Sequence, residues 1–230
     1  FTPLLFLRFH AEFNIPIGQI ALISTVFYVA QILVDVFCAK FVDRIGYRKC
    51  VVASQIASSV GLVLLAFLPN LLPDRLAGIL ISVVLYAVGS GLVEVLVSPI
   101  VEACPFENKS SVMSLLHSFY CWGAVGVVLL STLFFTLFGI GNWRIAACLW
   151  AILPLVNAYN FSVCPIERLT EDGKGMTIRE LLSKPAFWIF LLLMIGAGAS
   201  EAAMAQWASA FVESAMGFSK SIGDLIGPCI

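Results

Sequence analysis

The most constraining feature of this chain is the repetition of apolar blocks, each roughly as long as the ~20 residues that an α-helix needs to cross the hydrocarbon core of a bilayer. Such blocks occupy residues 17–39, 51–68, 77–101, 112–138, 145–163 and 186–211. Short segments holding most of the charge separate them. In all, 60% of the residues are hydrophobic and 12% are charged, far from the balance of a water-soluble domain. The predicted fold class is therefore an all-α, polytopic membrane protein whose main partner is the lipid bilayer. The opening FTPLLFLRFH has no basic region followed by a cleavage site and reads as the tail of a span already in progress. The end of the chain reads as the beginning of a further span.

The loops carry a second regularity. Assigning alternate loops to opposite sides puts Lys40, Arg44, Arg48, Lys49, Lys109, Arg168, Lys174, Arg179 and Lys184 on one side. Arg8, Arg75, Arg144 and Lys220 fall on the other. By the positive-inside rule the first side is cytoplasmic, and a missed or invented span would scramble the asymmetry. The net charge of −1 gives no indication of nucleic acid binding. Seven cysteines are scattered without a C-x-x-C pair and read as small apolar packing residues, so no metal site and no cofactor are expected. The longest polar stretch, 164–185, contains ERLTEDGKG and the amphipathic MTIRELLSK. It is the expected cytoplasmic linker between a transmembrane bundle at 1–163 and the start of a second at 186–230.

The segment A-K-F-V-D-R-I-G-Y-R-K at 39–49 resembles the signature between the second and third spans of the major facilitator superfamily. Asp43, Arg44, Gly46, Arg48 and Lys49 fit that pattern, whereas Ala39 stands for its first glycine and Tyr47 for a basic residue. Six spans, a charged linker and a seventh span repeat the family's six-plus-six plan. The resemblance implies a twelve-helix fold, a chain cut at both ends, and the remainder of the C-terminal bundle as a partner. It also implies gating by Asp43, Arg44, Gly46 and Arg48. An aspartate at a helix end can face the positive N-terminus of another helix while its cationic neighbours bind carboxylates, a lock that breaks as bundles move. The loop also anchors topology by charge alone.

Along the block at 77–101 and one residue beyond it, Ser90, Glu94, Ser98 and Glu102 recur every four residues and form a polar stripe. A carboxylate near mid-bilayer costs about 2.5–3.5 kcal/mol on the mildest insertion scale, so Glu94 is expected to face a cavity, paired or protonated. An acid so placed can exchange a proton near neutral pH, although a structural hydrogen bond to a neighbouring helix is the plainer alternative. Glu94 with Pro99, then His117, Phe119, Tyr120, Trp122 and Gly123, resembles the fucose-permease branch of proton:sugar symporters. That resemblance makes Glu94 the proton-coupling acid and places His117 and Tyr120 where the branch presents amides to sugar. His117 also fits a packed, backbone-bonded histidine, and Tyr120 a core or lipid-facing aromatic. In the block at 186–211, small residues allow close helix approach, while Glu201 and Gln206 are hard to place against lipid. By resemblance Glu201, Gln206 and Trp207 contact substrate. Asp35 and Glu213 lie near span ends and read as structural.

The expected function is secondary active transport of a small polar solute, with a sugar and a proton as the partners, by alternating access. A drug or metabolite/proton antiporter is the nearest alternative, although W-G-A-V-G-V-V at 122–128 lacks the G-P-x-x-G-G antiporter pattern. An intramembrane enzyme would have only Glu94 and His117 to work with, and neither an H-E-x-x-H nor a G-x-S-x-G motif is present.

Overall fold

The structure is a computed structural model that describes residues 1–166 and 178–226. A 3-10 turn at Thr2–Leu5 leads into α1 (Phe6–Phe13), followed by α2 (Ile17–Ile45), α3 (Tyr47–Leu71), α4 (Arg75–Ala103) and α5 (Lys109–Phe138). After a second 3-10 turn come α6 (Trp143–Val163), the short α7 (Ile178–Leu182), α8 (Pro185–Met216) and α9 (Lys220–Ile226). Six of these helices, α2 to α6 and α8, are long and apolar enough to cross a membrane. Half of the expected linker, with Arg168 and Lys174, lies outside the described residues.

Local chemistry sets the ends of the helices. Asp74 caps α4 by accepting from the backbone N–H groups of Leu76 (2.9 Å) and Ala77 (3.3 Å), and Asn108 caps α5 by accepting from that of Ser111 at 3.1 Å. Each such cap contributes about 1 kcal/mol. The boundaries differ from the sequence reading at two places. The block that ends at 68 in the sequence continues as helix: Pro69 sits inside the last turn of α3, and the chain leaves the helix only at Leu72, which is extended. A proline so near a helix end disturbs little of the remaining hydrogen-bond ladder. Asp43 and Arg44, expected in a loop, occupy the last turn of α2. Gly46 is what separates α2 from α3, at φ 98°, a backbone conformation that a side chain would strain.

Lipid tails are as apolar as the helices they surround, so helix association rests on close packing and hydrogen bonds rather than on escape from water. In α4, Gly89 lies so close to α3 that a Cβ would meet the Ser54 carbonyl oxygen at 2.5 Å. Gly91 approaches α2 in the same way, with Gln31 Cα at 3.4 Å from a Cβ built there. Small residues thus hold α2, α3 and α4 together, and α6 packs on the outer side of α3. Two apolar clusters result. One unites Phe6, Phe9, Ile20, Leu65, Val83 and Trp143 at the end of the molecule away from the linker. The other gathers Val34, Cys38, Val42, Val51 and Leu96 at the linker end.

Candidate functional site

The polar residues of the spans meet between the two clusters. Glu94 Oε2 accepts a hydrogen bond from Gln31 Nε2 of α2 at 2.9 Å. Asp35, one turn further along α2, lies within electrostatic reach of the Glu94 carboxyl. The hydroxyl of Tyr120, on α5, is within the same reach of Glu94, Glu201, Tyr28 and Cys121. Glu94, Tyr120 and Glu201, from α4, α5 and α8, therefore share one space, and all three are exposed within the protein. His117 is exposed one turn from Cys121 and makes no hydrogen bond to described residues, so nothing joins it to Glu94.

Gln206 and Trp207 have a different position. The Gln206 Oε1 atom accepts from Ser24 Oγ at 3.0 Å, and its Nε2 donates to the Tyr28 hydroxyl at 3.3 Å. Trp207 packs its ring on Phe6 with centroids 5.4 Å apart. Both residues thus bridge α8 to the first half of the chain.

At α9 lies a polar knot that the sequence does not reveal. Asp224 of α9 is 1% exposed and accepts from Thr132 Oγ1 of α5 (3.2 Å), Lys220 Nζ (3.2 Å) and the Ser209 hydroxyl. Lys220 Nζ also donates to the Leu4 carbonyl oxygen at 2.7 Å. Nearby, Glu12 accepts from Arg8 Nε (2.8 Å), Trp143 Nε1 (3.0 Å) and Arg144, tying α1 to α6. Burial alone would raise the Glu12 pKa, but the Trp143 and Arg144 hydrogen bonds with both guanidinium charges outweigh it and hold the carboxyl below its ordinary value.

The linker end is built differently. Asp43 accepts from the Tyr47 hydroxyl at 3.0 Å, so the residue that departs from the signature binds its aspartate. Arg48 Nη2 donates to the Cys164 carbonyl oxygen at 2.8 Å, which ties the α2–α3 corner to the end of α6. Arg44 is exposed. Residues 185–201 of α8 are exposed almost throughout, so apart from the Trp188 Nε1 bond to the Leu182 carbonyl of α7 this half of the helix stands clear of the other spans.

The family model of the Major Facilitator Superfamily matches residues 1–229. The chain belongs to the major facilitator superfamily. It is therefore a membrane transporter of the secondary type and not an enzyme. Comparison with curated proteins and with solved structures gave no match. Major facilitator proteins move solutes by rocking two bundles about a site near the midplane, a motion that breaks contacts at one end while making them at the other. In this structure Thr132, Leu4, Phe6, Ser24 and Tyr28 meet α8 and α9 at the end away from the linker, while the linker half of α8 is free of such contact. Ser24, Tyr28 and Gln31 are site residues absent from the sequence reading. Their spacing, continued by Asp35, marks one face of α2 and was the signal available for them.

Proposed function

We propose that this transporter carries a small polar solute, a sugar in the first instance, together with a proton, in the manner of the fucose-permease branch. The supporting observation is Glu94. It is an acid inside a span, bound by an amide rather than by a cation, in a space shared with Tyr120 and Glu201. An intramembrane carboxyl so exposed has a functional role by default, because lipid would not tolerate it. Tyr120 offers the solute a hydrogen-bonding hydroxyl and an aromatic face, and Glu201 an acceptor from the opposite bundle. His117 lies on the same helix as Tyr120, further toward the linker end.

Residues 1–163 form one bundle in this reading, 164–185 the linker, and 186–230 the first part of the second bundle. The excess of basic residues on the linker side supports a cytoplasmic linker in the cell membrane. The conformation described above is then open to the cytoplasm. Asp43, Arg44, Gly46 and Arg48 act as the gate at that mouth. The test is transport by the full-length protein in liposomes with a panel of labelled monosaccharides. Glu94→Gln keeps volume and hydrogen bonding but cannot titrate, so it should retain counterflow and lose accumulation driven by an inward proton gradient. Undiminished accumulation by the variant would move the coupling site elsewhere.

A further inference from the structure

The bond between Gln31 and Glu94 carries an inference that rests on Glu94 as the proton carrier and adds a residue to it. Glu94 forms no ion pair among the described residues; its bonded partner is the Gln31 amide. The partnership is set by the backbone, because Gly91, one turn before Glu94, admits Gln31 Cα to within 3.4 Å of where a Cβ would stand. Gln31 therefore reaches the carboxyl from a helix held at fixed distance. Asp35 from α2 and Tyr120 from α5 are within electrostatic reach of Glu94, and Tyr120 is in turn within reach of Glu201 of α8, Tyr28 of α2 and Cys121 of α5. None of them is a cation.

A proton carrier has two chemical forms with opposite hydrogen-bonding needs. The carboxylate only accepts, whereas the protonated acid also donates one O–H. A lysine or arginine opposite Glu94 has donors alone and would serve only the first form, holding it ionised. An amide has both an NH2 group and a carbonyl oxygen, and a half-turn of its last torsion exchanges them with no change of volume. The 2.9 Å bond from Nε2 is the arrangement that suits the carboxylate. After protonation the turned amide accepts from the acid at the same place.

We propose that Gln31 is the positioning residue of Glu94, an amide that hydrogen-bonds the carboxyl in both its ionised and its protonated form and so holds it at one point through the proton cycle. The direct test is infrared difference spectroscopy between acid and alkaline pH on the full-length protein in lipid, with the proton itself as the ligand. The band of protonated carboxyl that Glu94→Gln removes belongs to Glu94. Gln31→Met, which keeps length and offers no hydrogen bond, should move that band to higher wavenumber, and Gln31→Arg should abolish it over the pH range where the parent shows it. Melting curves confirm that each variant is folded. A Glu94 band unmoved in Gln31→Met, or persisting unchanged in Gln31→Arg, would overturn the role of Gln31 alone. If Glu94→Gln removes no band, Glu94 does not titrate, and both the coupling reading and this inference fall.

Discussion

The two ends of the molecule are held by different means. At the end away from the linker, α1, α5, α6, α8 and α9 converge on two carboxylates, the buried Asp224 held by Thr132, Ser209 and Lys220, and the half-buried Glu12 held by Arg8, Trp143 and Arg144. At the linker end the polar contacts are peripheral, such as Tyr47 to Asp43 and Arg48 to the Cys164 carbonyl, and the linker half of α8 stands apart. In the alternating-access reading proposed above, the first arrangement is the closed gate and the second the open one. On that reading the closed gate also stays reversible. Lys220 and Asp224 are one turn apart on the same short helix, so the charge pair moves as a unit. When the bundles part, only neutral partners, the Thr132 hydroxyl and the Leu4 carbonyl, are left behind.

The largest effect expected from this contrast comes from breaking the pair itself. Lys220→Ala strands Asp224 as a buried, uncompensated charge, and removal of one partner of such a pair costs about 3–5 kcal/mol. Thermal melting in detergent should show the loss, with Lys220→Arg largely restoring it. Thr132→Val should cost less, about 1.5–3 kcal/mol for one hydrogen bond to a charged group. That cost falls on the closed gate alone, so spin labels at Gln19 and Met216 should report longer separations in the variant. An unchanged distance distribution would mean that Thr132 does not hold the gate.

The Glu12 cluster sharpens the comparison through pH. Its carboxyl pKa is lowered in the folded protein, so its stabilisation is present above the ordinary carboxylate pKa and is lost as pH falls through the lowered value. The melting temperature should therefore fall on acidification, and Glu12→Gln should flatten that acid-side slope. The smallest effect belongs to the linker end. Tyr47→Phe removes one exposed hydrogen bond, which water replaces at Asp43, and should leave melting nearly unchanged. Asp43→Asn should slow transport while leaving the order of competing monosaccharides as it is, because the α2–α3 corner is remote from Glu94. A reordered competition profile would place Asp43 in the binding site instead of the gate.

Span number and membrane class were legible because block length and loop charge each record the bilayer directly, and the family followed from the residues around Asp43 and Gly46. Glu94 was legible because a carboxylate inside an apolar block has few explanations. Its partner was not, since Gln31 sits 63 residues away and only the packing of Gly91 against α2 brings the two together. Gln206 was singled out for its polarity, but polarity could not reveal that Ser24 and Tyr28 would occupy both ends of its amide. Asp224 was missed for a related reason. It lies near the end of the described chain in a short amphipathic stretch, and its burial depends on contacts from α5 and α8 that no local pattern encodes.

The central claim is that solute and proton cross together in the same direction through Glu94. It is tested most directly by adding a transported monosaccharide to lightly buffered, de-energised vesicles carrying the full-length protein and following the external pH. Symport predicts a transient alkalinisation with parent protein and none with Glu94→Gln, although the variant still exchanges labelled sugar. Sugar uptake with no pH change, or with acidification of the medium, would contradict it.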